Sequence, residues 1–150
     1  MTAIDHAITG AIIASYIHEP AIALPLALAS HFVVDSVPHL SFNSHTSHLF
    51  TKVLTLDMYL CTLFLLAIII FQPAYWLLII GCALLAMSPD IMWLPQYVRQ
   101  LKRQPNRPFN LIMRFHQKIQ WGEFSRGYLV EISYFIVALT IFTISLTCRH

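Results

Sequence analysis

The sequence predicts an all-α integral membrane protein, a bundle of four to five embedded helices with one amphipathic helix at the membrane interface. Three observations support this fold class. The chain of 150 residues is 57% hydrophobic and only 11% charged, with a mean hydropathy of +0.66, whereas soluble domains are about a quarter charged. The apolar residues form long segments. Seven of the nine Lys and Arg residues fall in one connecting stretch.

The apolar segments predict a single membrane-embedded domain over residues 1–150. We expect embedded helices at about 5–18, 20–37, 53–71, 74–88 and 127–147, and an interfacial helix at about 108–121. Residues 53–71 would be about 28 Å long at 1.5 Å per residue, which matches a hydrocarbon core of about 30 Å. The helix at 5–18 is too short to cross alone, so it is tilted, buried in the bundle or only partly inserted.

Local signals mark the course of the first two helices. Pro25 lies within the first turns of the second helix, where a proline is tolerated. Pro38 lacks the N–H that would continue this helix and biases Val37 away from helical angles, so the helix is expected to end near Val37. Gly10 and Ala14 place two small residues one turn apart on the first helix, which lets a neighbouring helix approach closely.

The segment 108–121 is amphipathic when it is drawn as a helix. Its apolar face is formed by Phe109, Ile112, Phe115 and Ile119, and its opposite face by Arg107, Arg114 and Lys118. Such a helix lies in the membrane interface with its basic face toward water and lipid phosphates. His116 falls on the apolar face and is therefore expected to point toward the bundle.

The positive charges orient the bundle. The positive-inside rule places the basic loop of residues 95–126 in the cytoplasm of a multi-pass protein. A formal net charge of +2 is too small to indicate a nucleic acid as partner, and membrane lipids are the expected partners instead. The chain starts MTAIDHAITG, without a basic region ahead of an apolar one, so no cleavable signal peptide is expected. The pattern does not specify an oligomeric state.

With this orientation, acids and imidazoles gather at the cytoplasmic ends of the helices, and few lie at the opposite ends. The members of this polar layer with candidate roles are His6, His31, Asp35, His39, Asp57, Asp90, His116, Glu123 and Glu131. An ionisable group within a membrane segment costs about 2.5–3.5 kcal/mol on insertion scales and marks a candidate functional site. The layer therefore predicts a site at the boundary between membrane and water.

The densest part of the layer is the stretch SHFVVDSVPHL, residues 30–40. His31 and Asp35 are four residues apart and share one helix face, and His39 follows the helix end, free to turn back toward them. An imidazole and a carboxylate at this spacing can bind a divalent metal, Zn²⁺, Mn²⁺ or Fe²⁺. Two alternatives to a metal stay open: a hydrogen-bonded His–Asp pair that joins two helices, and protonation of the buried carboxylates.

The order of short motifs along the chain adds a resemblance. His6 with Thr9–Gly10, then SHFVVDSVPH, Asp57, SPDIMW and FHQKIQ, resemble bacterial membrane-bound metal-dependent hydrolases, among them the relatives of the DNA-damage-induced inner-membrane hydrolase. The His-xxx-Asp-xx-Pro-His run is also similar to the ligand-bearing helix of zinc-dependent phospholipase C. The resemblance implies a location in the inner membrane. It also implies metal-ligand roles for His31, Asp35 and His39, with His6, Asp57 and Asp90 as further ligands.

Together these observations predict a hydrolase that uses a divalent metal, with Zn²⁺ favoured, on a lipid-borne phosphoester at the cytoplasmic interface. One or two such ions would polarise a phosphoryl or carbonyl oxygen and activate water. His116, Glu123 or Glu131 would act as general base or would orient a ligand. Three alternatives use the same residues: a transporter or sensor of metal ions or protons, a b-type haem protein, and a non-catalytic membrane protein with a structural polar layer.

Overall fold

A computed structural model describes residues 1–40, 47–105, 108–120 and 127–147, together with the backbone of 123–124. Its helices are α1 (Ala3–Tyr16), α2 (Pro20–Asp35), α3 (His48–Phe71), α4 (Trp76–Met87), the 3₁₀ helix η1 (Ser88–Trp93), α5 (Leu94–Leu101), α6 (Leu111–Ile119) and α7 (Tyr128–Thr147). Two short strands, β1 (His39–Leu40) and β2 (Glu123–Phe124), pair in parallel. Apart from this pair, regular structure in the described residues is helical, so the predicted all-α class is confirmed.

Three helical stretches are long and apolar enough to cross a membrane: α3, the end-to-end run of α4, η1 and α5 (Trp76–Leu101), and α7. Helix α2 is apolar but shorter. Large apolar side chains such as Ile70 and Phe71 are exposed on the outer surface, as expected of a surface that faces lipid rather than water. The structure therefore supports a membrane protein with three candidate spans, and a total of four to five embedded helices stays a prediction.

Several helix ends differ from the predicted ones for local reasons. Helix α3 begins at His48 rather than near residue 53, because the Ser47 hydroxyl caps it by accepting the Phe50 N–H at 3.1 Å. Helix α6 is confined to Leu111–Ile119, and Asn110 caps its start. The run after α4 continues as η1 and α5 because Pro89 and Pro95 occupy first-turn positions, where a missing N–H costs nothing.

Helix α1 lies inside the bundle, in contact with α2, α3, α4 and α7. Its inner positions are small, and Ala7, Ala11 and Ala14 have no exposed surface. Gly10 allows the closest approach, because a Cβ at this position would lie 2.3 Å from the Cys82 carbonyl oxygen of α4. The shortness of α1 follows from this position: it is packed among longer helices.

Side-chain contacts bring the polar ends of the helices to one level. The Asp57 carboxylate of α3 accepts the N–H groups of Ala3 and Ile4 at 2.8 and 2.9 Å, which satisfies two free donors at the start of α1. One turn further along α1, the Thr9 hydroxyl hydrogen-bonds to the Tyr134 hydroxyl of α7 at 2.7 Å. The polar layer predicted at one end of the bundle is therefore built around the start of α1.

The close approach of α1 and α4 makes a matched pair of glycine substitutions informative. Gly10→Ala should destabilise the fold by about 1–3 kcal/mol, because the methyl group would overlap the α4 backbone. Gly81→Ala should be neutral or stabilising by up to about 1 kcal/mol, since its Cβ would meet only the Leu24 side chain, at 3.6 Å. Unfolding in detergent, followed by circular dichroism, measures both. Equal effects of the two variants would contradict the packing.

Candidate metal centre

The centre starts from the last turn of α2, which presents an imidazole and a carboxylate on its inner face. His31 and Asp35 are both buried, and His31 Nε2 lies 3.3 Å from Asp35 Oδ2. The shared face predicted from their i,i+4 spacing is present in the structure. These two buried atoms both carry lone pairs, so at this distance they repel each other unless a proton or a metal cation lies between them.

Two further side chains reach the same point from other elements. His116 on α6 places Nε2 3.0 Å from His31 Nε2, and Asp90 on η1 places Oδ1 3.7 Å from it. One ligand atom from each of the four residues lies within 4.8 Å of all the others. Two imidazoles and two carboxylates suit Zn²⁺, Mn²⁺ or Fe²⁺. Within the described residues, this four-residue group, the His31 cluster, can hold a metal ion.

Hydrogen bonds on the far side of each ring orient the imidazoles. His31 Nδ1 donates to the Ala86 carbonyl oxygen at 2.8 Å, and this bond ties α2 to the end of α4. His116 Nδ1 accepts the indole N–H of Trp93 at 3.1 Å. Such outer partners fix ring orientation in metal sites. The Asp90 side chain, with 36% of its surface exposed, is the part of the cluster that meets solvent.

Asp35 is the most heavily hydrogen-bonded member of the cluster. Its Oδ1 accepts from His6 Nε2 at 3.1 Å and from the amino group of Met1 at 2.9 Å. Its Oδ2 accepts from His116 Nε2 at 2.5 Å and from the Gln120 amide at 3.1 Å. Burial alone would raise the pKa of Asp35, but the hydrogen bonds from His116 and His6 and the nearby His31 ring outweigh it and hold the pKa well below its ordinary value.

The carboxylates also act on His31. Burial alone would lower the pKa of His31, but the carboxylates of Asp35 and Asp90 beside the ring raise the pKa overall. The same negative charges favour a metal cation beside Nε2. The electrostatics of the cluster therefore suit a positive charge at this point of the bundle.

The remaining predicted ligands lie outside the His31 cluster. His6 is next to it, with its ring stacked on His31 at a centroid distance of 4.1 Å and its Nε2 on the outer oxygen of Asp35. His39 belongs to β1, pairs with Glu123 across the two strands, and its Nδ1 donates to the Val37 carbonyl at 2.8 Å. Asp57 caps α1.

The three residues predicted to act as general base are separated by the structure. His116 joins the His31 cluster directly. Glu131 is buried on α7 and lies beside His39 and Leu40 of β1. The backbone of Glu123 forms β2, while its side chain lies outside the described residues. Of the three, His116 is the one that the structure brings to the cluster.

Sequence reasoning missed several residues around the cluster. Trp93 and Gln120 hold His116 and Asp35, but neither carries a charge that a search for ligands would find. Asp5 is fully buried, and burial raises its pKa to about 7 in spite of its hydrogen bond with Thr2. Its Oδ1 has no hydrogen-bond partner among the described residues. The adjacent pair Asp5–His6 near the start of α1 was the sequence signal that could have identified Asp5.

Comparisons with known proteins identify no relative. No family model matches the chain, and neither the curated proteins nor the solved structures include a significant match. The predicted membership of the membrane-bound hydrolases therefore stays a prediction based on the quoted motifs. The geometry of the His31 cluster is the basis on which a function can be assigned.

The cap on α1 gives a test of the role of Asp57. Asp57→Ala should destabilise the fold by about 1–3 kcal/mol, because two buried N–H groups lose their acceptor. Asp57→Asn should cost less, since its amide oxygen can still accept. Both variants should keep the metal content of the wild type, measured by elemental analysis. Thr62→Ala, on the exposed face of α3, is the control. Loss of metal from a stably folded Asp57→Asn variant would instead make Asp57 a ligand.

Proposed function

We propose that this chain is a membrane-embedded, metal-dependent hydrolase that acts on phosphoesters carried by lipids. The observation that carries the proposal is the His31 cluster, in which two imidazoles and two carboxylates converge at one end of an apolar helical bundle. Three of the four residues are buried, and Asp90 is half-buried, so solvent reaches the otherwise buried cluster at Asp90.

The donor set fits a catalytic ion of the Zn²⁺ type. His31, Asp35 and Asp90 offer one nitrogen and two oxygen atoms, and catalytic zinc sites usually combine about three protein ligands with an open position. When bound, such an ion supplies a Lewis acid and lowers the pKa of a water to about 7. The protein contributes buried ligand atoms, oriented rings and a negative charge balanced by hydrogen bonds from His6, Gln120 and His116 to Asp35.

The arrangement of side chains on helix α6 favours a substrate carried by a membrane lipid. It turns His116 inward, while Ile112 and Phe115 are more than half exposed on another face. Arg114 and Lys118 are exposed on a third face. This arrangement suits a helix whose apolar face enters the lipid and whose basic face meets phosphate groups. A lipid headgroup next to α6 would thus lie close to the His31 cluster. The positive-inside rule assigns this end of the bundle to the cytoplasm, and the resemblance assigns the protein to an inner membrane.

The geometry is less favourable to the haem alternative. A b-type haem with two histidine ligands needs space for the porphyrin between the rings. The Nε2 atoms of His31 and His116 are 3.0 Å apart and in direct contact, so no porphyrin fits between them. Transport and a purely structural polar layer predict no hydrolysis, and assays of the ligand variants separate them from the proposal.

Removal of ligands should abolish both metal binding and hydrolysis. Loss of an outer partner costs about 10–100-fold in activity. His31→Ala and Asp35→Asn should each lower the rate of hydrolysis by more than this factor, because each removes a direct ligand. The substrates are phosphatidic acid and phosphatidylglycerol in mixed micelles. Zn²⁺ content should fall in parallel. The matched control is His18→Ala, which removes an imidazole that stacks on Tyr75 at a distance of 4.0 Å.

Two results would contradict the proposed function. The first is a wild-type protein that binds Zn²⁺ stoichiometrically but releases no phosphate or headgroup from any phospholipid tested. The second is hydrolysis that persists in both ligand variants and in the presence of a chelator. Flux of Zn²⁺ across proteoliposomes without hydrolysis would favour a transporter instead.

A further inference from the structure

We infer that His116 is a hydrogen-bond donor beside the metal rather than a ligand, and that Trp93 is the positioning residue that makes it so. The ligands are then His31, Asp35 and Asp90, with the fourth position open next to the N–H of His116. The assignment of ligands rests on the proposed function. The assignment of the proton on His116 rests on hydrogen bonds alone.

The first step is the proton on His116. An indole N–H can only donate, so the bond of 3.1 Å from Trp93 Nε1 requires a lone pair on His116 Nδ1. A neutral imidazole with a lone pair on Nδ1 carries its hydrogen on Nε2. His116 therefore presents an N–H, not a lone pair, to the interior of the cluster.

The second step is the opposite arrangement on His31. A carbonyl oxygen can only accept, so the bond of 2.8 Å to Ala86 requires a hydrogen on His31 Nδ1. In neutral His31 the lone pair is then on Nε2, the atom that faces the cluster. The two Nε2 atoms are 3.0 Å apart, too close for a hydrogen on each of them. The outer partners of the two rings place the single hydrogen on His116 Nε2, where His31 Nε2 and Asp35 Oδ2 share it.

The third step is the spacing of the polar atoms. Ligands at about 2.0–2.2 Å from one tetrahedral ion lie roughly 3.3–3.6 Å from each other. His31 Nε2 is 3.3 Å from Asp35 Oδ2 and 3.7 Å from Asp90 Oδ1, close to that range. His116 Nε2 is 2.5 Å from Asp35 Oδ2, which is a hydrogen-bond length and too short for two ligands of one ion. The distances separate three ligands from one donor.

Trp93 acts from the same short element that carries a ligand. Asp90 and Trp93 are three residues apart on η1, and residues at this spacing eclipse each other on a 3₁₀ helix. One turn of η1 thus delivers the Asp90 carboxylate to the metal position and the Trp93 indole to the back of His116. The Phe109 ring, 5.4 Å from the Trp93 ring in an edge-on contact, supports the indole.

The test measures the proton and the metal separately. Wild-type protein with ¹⁵N-labelled histidine should give a His116 spectrum with hydrogen on Nε2, and this spectrum should persist when Zn²⁺ is added. His31 Nε2 should shift on Zn²⁺ addition as a ligand does. In Trp93→Phe, His116 should populate both tautomers, because Nδ1 has lost its donor. Trp76→Phe, which changes a tryptophan of α4 outside the cluster, should leave the spectrum unchanged.

Zn²⁺ affinity, measured by competition with a chromophoric chelator, gives the second readout. His31→Ala and Asp90→Ala should weaken binding by at least about 100-fold, whereas His116→Ala should weaken it by no more than about 10-fold, the effect of a weak outer partner. Trp93→Phe should bind Zn²⁺ as tightly as the wild type or more tightly, since His116 Nε2 gains a lone pair. A merely structural role for Trp93 would lower the affinity instead.

Two outcomes would overturn the inference. One is a His116 Nε2 resonance that moves to a metal-bound position when Zn²⁺ is added. The other is a loss of Zn²⁺ affinity in His116→Ala as large as that in His31→Ala. A wild-type protein that binds no Zn²⁺ would refute the proposed function, and the ¹⁵N spectrum of the metal-free protein would still decide whether Trp93 places the proton on Nε2.

Discussion

The buried carboxylate of Asp35 is the constraint on which the arrangement of the other helices depends. A charge with 1% of its surface exposed is tolerated only if hydrogen bonds replace the lost water. The carboxylate belongs to α2, and its donors come from α1 through His6 and from the C-terminal part of α6 and its cap through His116 and Gln120. Three helices therefore have to end or begin near one point, and that point is the polar end of the bundle.

Helix α1 can bring His6 to Asp35 because a polar contact holds its first half and an apolar contact holds its second half. At its start, Asp57 accepts two backbone N–H groups and fixes the height of the helix, so that His6 reaches Asp35. Further along, Gly10 and the buried alanines let α1 press against α4 without side chains between them. The polar contact sets the register, and the apolar contact sets the distance. Neither alone would bring His6 under His31.

The features predicted from sequence are those that depend on one segment at a time. Helical periodicity and length were enough for the all-α class and the long apolar helices, and the i,i+4 spacing for the shared face of His31 and Asp35. The meeting of α2 with η1 and α6 was predicted only coarsely, through the shared polar layer and the resemblance, because His116 and Asp90 are far from His31 in sequence and spacing alone could not select them over His6, His39 and Asp57. Trp93 escaped notice because its function depends on which imidazole nitrogen it meets. The fourth helix was expected to end near residue 88, but the chain continues there as η1, with Pro89 in its first turn.

In the proposed position of α6 at the membrane interface, its three faces would connect the His31 cluster to the bilayer. One short helix seats His116 against Asp35 on its inner side and exposes Ile112 and Phe115 on its outer side. Lateral pressure from the acyl chains would therefore press the imidazole into place, and a solvent that replaces those chains would release the pressure. With α6 in that position, the choice of detergent at extraction would affect the geometry of the His31 cluster as directly as the metal added to the buffer.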